Sequence, residues 1–482
     1  MDKVELNSEF GSLMFEQTSF ADWEKLALRS LRDVTSVEQL YSETNDGLPV
    51  APLYTERPAT PSKPLSVSVS AIAVDNRLCV SGNNPKALNA QVLAGLSGGI
   101  QSLEIWIDDH NASLLSSDGL PSVLSGVLLN IAPISLRAGS SIGDAYGQLL
   151  KLWEAENSNN AQQRTILNVD PFDQLLTGQI TSAELTQSVD QLSTLAEQHF
   201  NANSSMTCGG INIARHHNAG ASEVEELTAA IATASLYAEA LLDSGLTAEQ
   251  ASQTLVFNMA CDSDFLLNVA KLRALRQLWA HVINALQPSA EPVQCRIDAV
   301  TSSRMQAIAS PWVNHLRNTA ASASAIIGGA DSLTVLPHNH IEGVTIDSDR
   351  ERGARMARNL PIILQEESHL HAVADPMAGS FAIEQLTQQL VDNTWQALIN
   401  LERSGGWLNA VNSGAWQAQL ANTHMNRVKN LQRGDSIRVG VNKYQPDDMP
   451  NKKVSNKLDH PTAQSGSIEP LTPVRDSQEF ES

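Results

Sequence analysis

Hydrophobic and polar positions follow two rhythms along this chain. Leu65, Val67, Val69, Ala71 and Ala73 recur at every second residue, which predicts a strand. A second strand over 102–108 keeps Leu103, Ile105 and Ile107 on one face. Further strands are predicted at 125–136, 165–169, 206–213, 294–301 and 331–336, with helical stretches between most of them. The helical rhythm is clearest over 223–243 and 263–286. In the latter, Phe265, Val269, Leu272, Leu275, Trp279, Val282 and Leu286 form one apolar stripe at steps of three and four. Capping boxes mark helix starts: Ser222 with Glu225, Thr247 with Gln250, and Ser348 with Glu351. Strand–helix alternation sustained over about 300 residues is the signature of a parallel sheet, and its length favours an α/β fold of the closed (β/α)8 TIM-barrel type. A doubly wound sheet is the alternative, but no GxGxxG follows a strand.

The pattern divides the chain. Residues 1–64 read as an N-terminal arm, with a capping-box pattern at Ser36–Gln39 and a Pro- and Thr-rich extended run over 47–64. Such an arm often wraps a partner. Residues 65–400 are the barrel, and 401–445 a helical extension of it. Residues 446–482 are rich in Pro, Ser and charge, with Phe480 as their one aromatic, and read as a disordered tail. Pro361 falls within a helical stretch that it should kink or end.

Composition narrows the function. Lys and Arg number 32 against 53 Asp and Glu, a net charge of −21. So acidic a surface disfavours nucleic acid and anionic lipid as partners. Cys79, Cys208, Cys261 and Cys295 form no CxxC pair, which argues against a disulfide framework or zinc knuckle. The acidic start lacks the features of a secretion signal or transit peptide, and no apolar run is long enough to span a membrane; a cytoplasmic location fits best.

Isolated motifs carry little. Gly139-Ser-Ser141-Ile-Gly143 matches the GxSxG nucleophile elbow, but Gly95-Leu-Ser97-Gly-Gly99 matches it too, in the wrong structural order. A Gly-rich turn is the simpler reading. His216-His217, His338 with His340, and His369 with His371 read as surface or barrel-mouth histidines rather than metal ligands. Asp108-Asp-His110 nearly spells the DxHxxG of base-off cobalamin proteins, but Ser113 stands where Gly should be. Lys271, Arg273 and Arg276 read as a solvated basic helix face.

Several stretches taken together are more specific: Ala219-Gly-Ala221, Val269–Ala280 (VAKLRALRQLWA), Pro311-Trp-Val-Asn314, Gly328-Gly-Ala-Asp-Ser-Leu333, Glu366-Glu-Ser-His369, Asp375–Ser380 (DPMAGS) and Val439–Gln445 (VGVNKYQ). In order and spacing they resemble the methylmalonyl-CoA mutase family from about Trp23 to Gln445. The resemblance implies a barrel that surrounds a CoA thioester. In the family's catalytic chain a cobalamin domain caps that barrel, and a radical from the cofactor moves the carbonyl-CoA group.

The departures from the family pattern matter more. Only 37 residues follow Gln445, too few for a cobalamin-binding domain, so none is expected here. The catalytic RQYAG aligns with Arg77-Leu-Cys79-Val-Ser81: Arg77 survives, and Cys79 replaces the Tyr. Ala214 and Arg215 align with the catalytic Tyr-His, although a small shift would bring in His216 or His217. The catalytic HxQTS aligns with Asp298-Ala-Val300-Thr301-Ser302, without the His or the Gln. Asp298 would repel an anionic thioester. The resemblance thus implies the family's small, non-catalytic subunit, a heterodimer partner of the large one. It implies no catalytic residue, since Cys79, Ala214, Arg215, Asp298 and Val300 are degenerate, and a vestigial substrate contact at Arg77, Thr301 and Ser302. It implies no cofactor on this chain, adenosylcobalamin being held by the large subunit. The alternative is a catalytic barrel served by a cobalamin-binding subunit in trans.

Overall fold

The computed structural model describes residues 18–31, 33–56, 73–108, 111–155, 165–201, 206–288, 293–342, 347–446 and 468–481. Eight parallel strands close into a (β/α)8 barrel in chain order. They are β1 (Asp75–Val80), β2 (Ser102–Trp106), β3 (Ile134–Arg137), β4 (Ile166–Val169), β5 (Thr207–Asn212), β6 (Leu255–Cys261), β7 (Arg296–Thr301) and β8 (Ser332–Thr334). Closure comes from β8, which pairs with β7 on one side and places Ser332 opposite Asp75 of β1 on the other.

Most of the alternating run from Leu65 lies outside the described residues, and the first barrel strand is β1. The strand expected over 125–136 forms only at its end, as β3. β6 reads LVFNMAC and is buried along its whole length, so it lacks the polar alternation that would reveal it in the sequence.

Seven helices frame the site: α1 (Ile213–Asn218), α2 (Glu223–Asp243), α3 (Phe265–Leu286), α4 (Pro311–Ile327), α5 (Asp347–Ile362), α6 (Phe381–Arg403) and α7 (Ala415–Arg433). The capping box of Ser222 and Glu225 opens α2, and Asp264 caps α3. α5 begins at Asp347, so Ser348 lies inside the helix and not at its N-cap. The outward face of β6 joins this shell where Phe257 meets Trp279 edge-on at 5.5 Å.

α6 packs across the outer side of α3, so α3 is covered nearly all round. The expected solvated basic face is therefore buried, with Lys271, Arg273 and Arg276 exposed by 0%, 1% and 8%. Arg273 pairs with Asp375 and, at 2.9 Å, with Glu384 of α6. Arg276 donates to the carbonyls of Gly328 (3.2 Å) and Gly329.

α5 runs through Pro361 and then widens into a π-turn over Ile363–Glu367. That turn carries Gln365 to the entry of β1. Its Oε1 accepts from Val74 N at 2.6 Å, and its Nε2 donates to Val74 O at 3.1 Å.

The arm contributes a helix over Phe20–Ser30 that buries nothing, and a short antiparallel pair of Ser42–Glu43 with Pro49–Val50. Ser36 makes no side-chain cap; Thr35 N instead donates to Gln39 Oε1 at 2.9 Å.

The chain end differs from expectation. The composition predicts disorder throughout 446–482, yet Ile468–Glu481 packs on the barrel mouth and buries Leu471, Arg475, Asp476 and Ser477. Its main chain donates from Leu471 to Leu176 O (3.1 Å), from Val474 to Asn218 O (2.7 Å) and from Asp476 to Arg304 O (3.2 Å). A polar, aromatic-poor composition hides this docking, because it rests on backbone bonds, a single buried Leu and polar partners distant in sequence, such as Asp476 with Arg438 and Glu481 with Ile308 N.

Candidate functional site

The barrel lumen is polar, and its charged side chains pair with one another across it. Arg77 of β1 pairs with Asp298 of β7, donates from Nε to Ser102 Oγ at 3.0 Å, and lies 3.4 Å from Asp75. Arg296 approaches the other Asp298 oxygen at 3.3 Å. Burial alone would raise the Asp298 pKa, but Arg77 and then Arg296 outweigh it and bring it down to about 2. Burial likewise opposes the Arg77 charge, and Asp298, Asp75 and Glu104 outweigh it.

One layer up, Arg137 of β3 pairs with Glu104 of β2 at 3.0 Å and lies 5.5 Å over the Trp106 ring. Cys79 faces this layer, on the same side of β1 as Arg77 and opposite Glu104 in register. On the far wall, Asn168 donates to Ser135 Oγ at 2.7 Å and accepts from Asn258 Nδ2 at 3.1 Å. This last bond crosses over β5 at Gly210. A Cβ there would come within 2.9 Å of Asn168 Oδ1, so only glycine leaves the bond intact.

At the mouth, Asp170 accepts from Tyr237 Oη (2.6 Å) and from Asn212 N (2.7 Å). Burial and the neighbouring Asp173 push Asp170 up to about 6. Arg215 pairs with Asp173, with its Nη2 at 3.2 Å, and Ala214 is buried beside it. His216 turns to the other side, where its Nδ1 accepts from Trp416 Nε1 at 3.0 Å, and burial pulls its pKa down to about 4.

His217 lies at the centre of a second network. Its Nδ1 is 2.6 Å from Glu226 Oε1 and its Nε2 is 2.7 Å from Ser302 Oγ. Burial first, then Arg304 and Lys271, hold its pKa well below the usual range, so the ring is neutral. The neutral ring donates from Nδ1 to the carboxylate and accepts from the Ser302 hydroxyl. Lys271 Nζ completes the group, donating to Glu226 Oε2 at 2.7 Å and to Ala260 O at 2.9 Å.

The order Ser302–His217–Glu226 matches that of a nucleophile, base and carboxylate. The other oxygen of Glu226, however, carries the Lys271 ammonium, and Ser302, His217 and Glu226 are each 0% exposed. A substrate has no approach, and the group acts as an internal strut between α1, β6, α2, α3 and the segment after β7. The elbow serine of the sequence pattern, Ser141, lies in a single turn over Gly139–Ser141. None of the described hydrogen bonds joins it to a histidine.

Of the sequence-predicted positions, Arg77 and Asp298 meet each other, Cys79 faces the layer above them, and Ser302 joins the His217 network. Thr301 points away from the lumen, and its Oγ1 accepts from Leu336 N at 2.8 Å. Val300 lies on the lumen side of β7, two residues above Asp298. Glu226, Asp262, Arg304 and Asp476 were not anticipated; no local motif marks them, since their partners are distant in sequence. His338 is buried and stacks on Trp312 at 4.6 Å. Among the described residues no group of three or more His, Cys, Asp or Glu is arranged to hold a metal.

A family model described as methylmalonyl-CoA mutase matches residues 107–482. The "Methylmalonyl-CoA mutase small subunit" of Streptomyces virginiae is 35% identical over 462 residues, covering 92% of this chain and 72% of the relative. The protein of the same name in Propionibacterium freudenreichii subsp. shermanii is 32% identical over 388 residues, 78% of this chain and 59% of the relative. The "Methylmalonyl-CoA mutase" of Cereibacter sphaeroides is 26% identical, across 88% of this chain and 64% of its own length.

Proposed function

Because the chain belongs to the methylmalonyl-CoA mutase family, we propose that it serves as the small subunit of a heterodimeric, adenosylcobalamin-dependent methylmalonyl-CoA mutase. In this reading the chain performs no chemistry itself. It supports a large subunit that holds the cofactor and interconverts methylmalonyl-CoA and succinyl-CoA in the cytoplasm. The names of its relatives support the subunit assignment, since a small subunit has a larger partner.

The observation that carries catalytic silence is the self-paired lumen. Its charged side chains are spent on one another: Arg77 on Asp298, Arg137 on Glu104, Arg215 on Asp173. The cavity at the mouth among Asp170, Asp173, Asn212 and His216 holds about 10 Å³, far below the roughly 300 Å³ that a small-molecule ligand fills. Cys79 offers no ring or phenol to a substrate, and Val300 offers no hydrogen bond.

In this reading adenosylcobalamin is held by the large subunit and this chain binds no cofactor; the docking of Ile468–Glu481 on the barrel mouth is consistent with that division. Net charge −21 disfavours nucleic acid as a further partner. No helix among the described residues is long and apolar enough to cross a membrane.

Mutase turnover with adenosylcobalamin and methylmalonyl-CoA tests the reading, on the chain alone and co-purified with a large-subunit-type partner. Inactivity alone with a stable, active complex is expected. Turnover by the chain alone would overturn the proposal. Turnover with an isolated cobalamin-domain protein would favour the catalytic barrel working in trans.

A further inference from the structure

The barrel mouth concentrates cations that the lumen pairs leave aside. Arg304 follows β7, Arg427 lies on α7, and Arg438 lies in the turn after α7. Protein carbonyls hold each one in place. Arg304 donates to His217 O (2.8 Å) and Ala221 O (2.7 Å). Arg427 donates to Gly220 O and Ala221 O, both at 3.2 Å, and Arg438 to Met305 O at 3.2 Å. These carbonyls belong to α1 and to barrel loops, so the three guanidinium groups have anchors outside the chain end.

A single carboxylate of the end segment enters this cluster. Asp476, 1% exposed, takes Arg438 Nη2 at 2.6 Å and lies 3.9 Å from Arg427 and 3.8 Å from His424. Asp262 reaches the cluster from below, 3.5 Å from Arg304. The match is incomplete: Asp476 Oδ1 accepts no hydrogen bond, and the Nε groups of Arg304, Arg427 and Arg438 donate none. Arg317 crowds the same place, and burial and Arg438 pull its pKa down to about 10. Glu223 and Glu226 also act on Arg304 from the barrel side, and Glu223 on Arg427, while Asp476 is the carboxylate that the chain end brings in.

We propose that Arg304, Arg427 and Arg438 form an oxyanion-binding site at the barrel mouth, occupied in cis by Asp476, and that it takes a phosphate- or pyrophosphate-class anion when that carboxylate is withdrawn. A tetrahedral oxyanion presents more acceptor oxygens than one carboxylate and matches several guanidinium forks. The segment bearing Asp476 is tied down by main-chain bonds from Leu471, Val474 and Asp476 itself, so its side chain can be shortened without cutting them.

Calorimetric titration of the full chain with pyrophosphate tests this, comparing wild type, Asp476→Ala, and Asp476→Ala combined with Arg438→Met. Asp476→Ala should bind one pyrophosphate about tenfold or more tighter than wild type, and the added Arg438→Met should remove that gain. A cooperatively unfolding Asp476→Ala that binds no tighter than wild type overturns the proposal, as does binding indifferent to Arg438→Met. If Asp476→Ala does not fold, Asp476→Asn takes the same test with the same outcomes. If that also fails, refolding yield in pyrophosphate decides: a rise supports the site, and no rise overturns it. Orthophosphate in a parallel titration separates the two ligand classes by affinity.

Discussion

Arg77 on β1 and Asp298 on β7 form an ion pair that reaches past the intervening strand β8, inside the barrel. Both are nearly fully buried, at 4% and 5% exposed. The pair turns two positions that the resemblance connects with substrate into partners of each other. An unpaired Asp298 would repel a thioester's negative charge; a paired one also withholds the arginine that could have answered it.

Removing either partner should therefore be worse than removing both. Arg77→Met or Asp298→Leu alone leaves an uncompensated buried charge and should cost about 3–5 kcal/mol. The double variant should recover most of that loss. Urea denaturation midpoints of the four proteins check it, and additive losses would show that the two side chains do not depend on each other. The pair also predicts acid sensitivity. Asp298 has a lowered pKa in the fold, so its contribution is present above about 4 and lost as pH falls through about 2. That acid limb should be missing from the double variant.

The barrel was legible in the sequence because its outward faces repeat: Leu103 and Ile105 on β2, and the long stripe of α3. The lumen was not. Arg77 and Asp298 are 221 residues apart, and no local pattern links them. Lys271 and Arg273 misled for a related reason: a basic helix face reads as solvated until the element that covers it, α6, is known. The docked chain end was hidden by composition, since its binding uses backbone groups that every residue carries and polar side chains, such as Asp476, whose partners lie far off in sequence.

Glu223 gives a prediction of opposite pH sign. It is buried at the start of α2, and burial, then Asp46, push its pKa up to about 8, despite Lys271. Asp46 of the arm, which accepts from Val224 N at 3.1 Å, is itself raised to about 6, burial being the main cause. A raised carboxyl stabilises the fold below its unfolded value and loses that contribution as pH rises through the folded one. Stability should thus fall between about pH 5 and 8, by a few kcal/mol at most. Glu223→Gln should flatten this limb in thermal melts taken across that range. A wild-type profile that rises through it would contradict the assignment.

Lys271 predicts a loss without an easy rescue. Its ammonium bridges Glu226 and Ala260 O in a site with no solvent. Lys271→Met leaves the Glu226 carboxylate buried beside a neutral His217, and should cost about 3–5 kcal/mol. Adding Glu226→Gln should restore part of it, because the amide is uncharged and still accepts from His217. Denaturant titration of the single and double variants distinguishes this from simple loss of packing, for which the second substitution would bring further damage.

The π-turn after Pro361 has a job that does not require the proline itself. Proline lacks the N–H that residue 361 of a regular helix would give to the carbonyl of Ala357, so the ladder is already broken there when the wider turn begins. What the fold needs from that turn is Gln365, whose amide holds both backbone groups of Val74 just before β1. Gln365→Leu leaves two buried backbone groups unpaired and should cost roughly 2–5 kcal/mol, about 1–3 for each. Pro361→Ala restores a donor and leaves Gln365 in place, so it should change stability by less than about 1 kcal/mol. Amide hydrogen exchange at Val74 gives the local readout: it should quicken strongly in Gln365→Leu and stay near wild type in Pro361→Ala. Equal quickening in both would mean that the proline, and not the glutamine contact, sets the entry of the first strand.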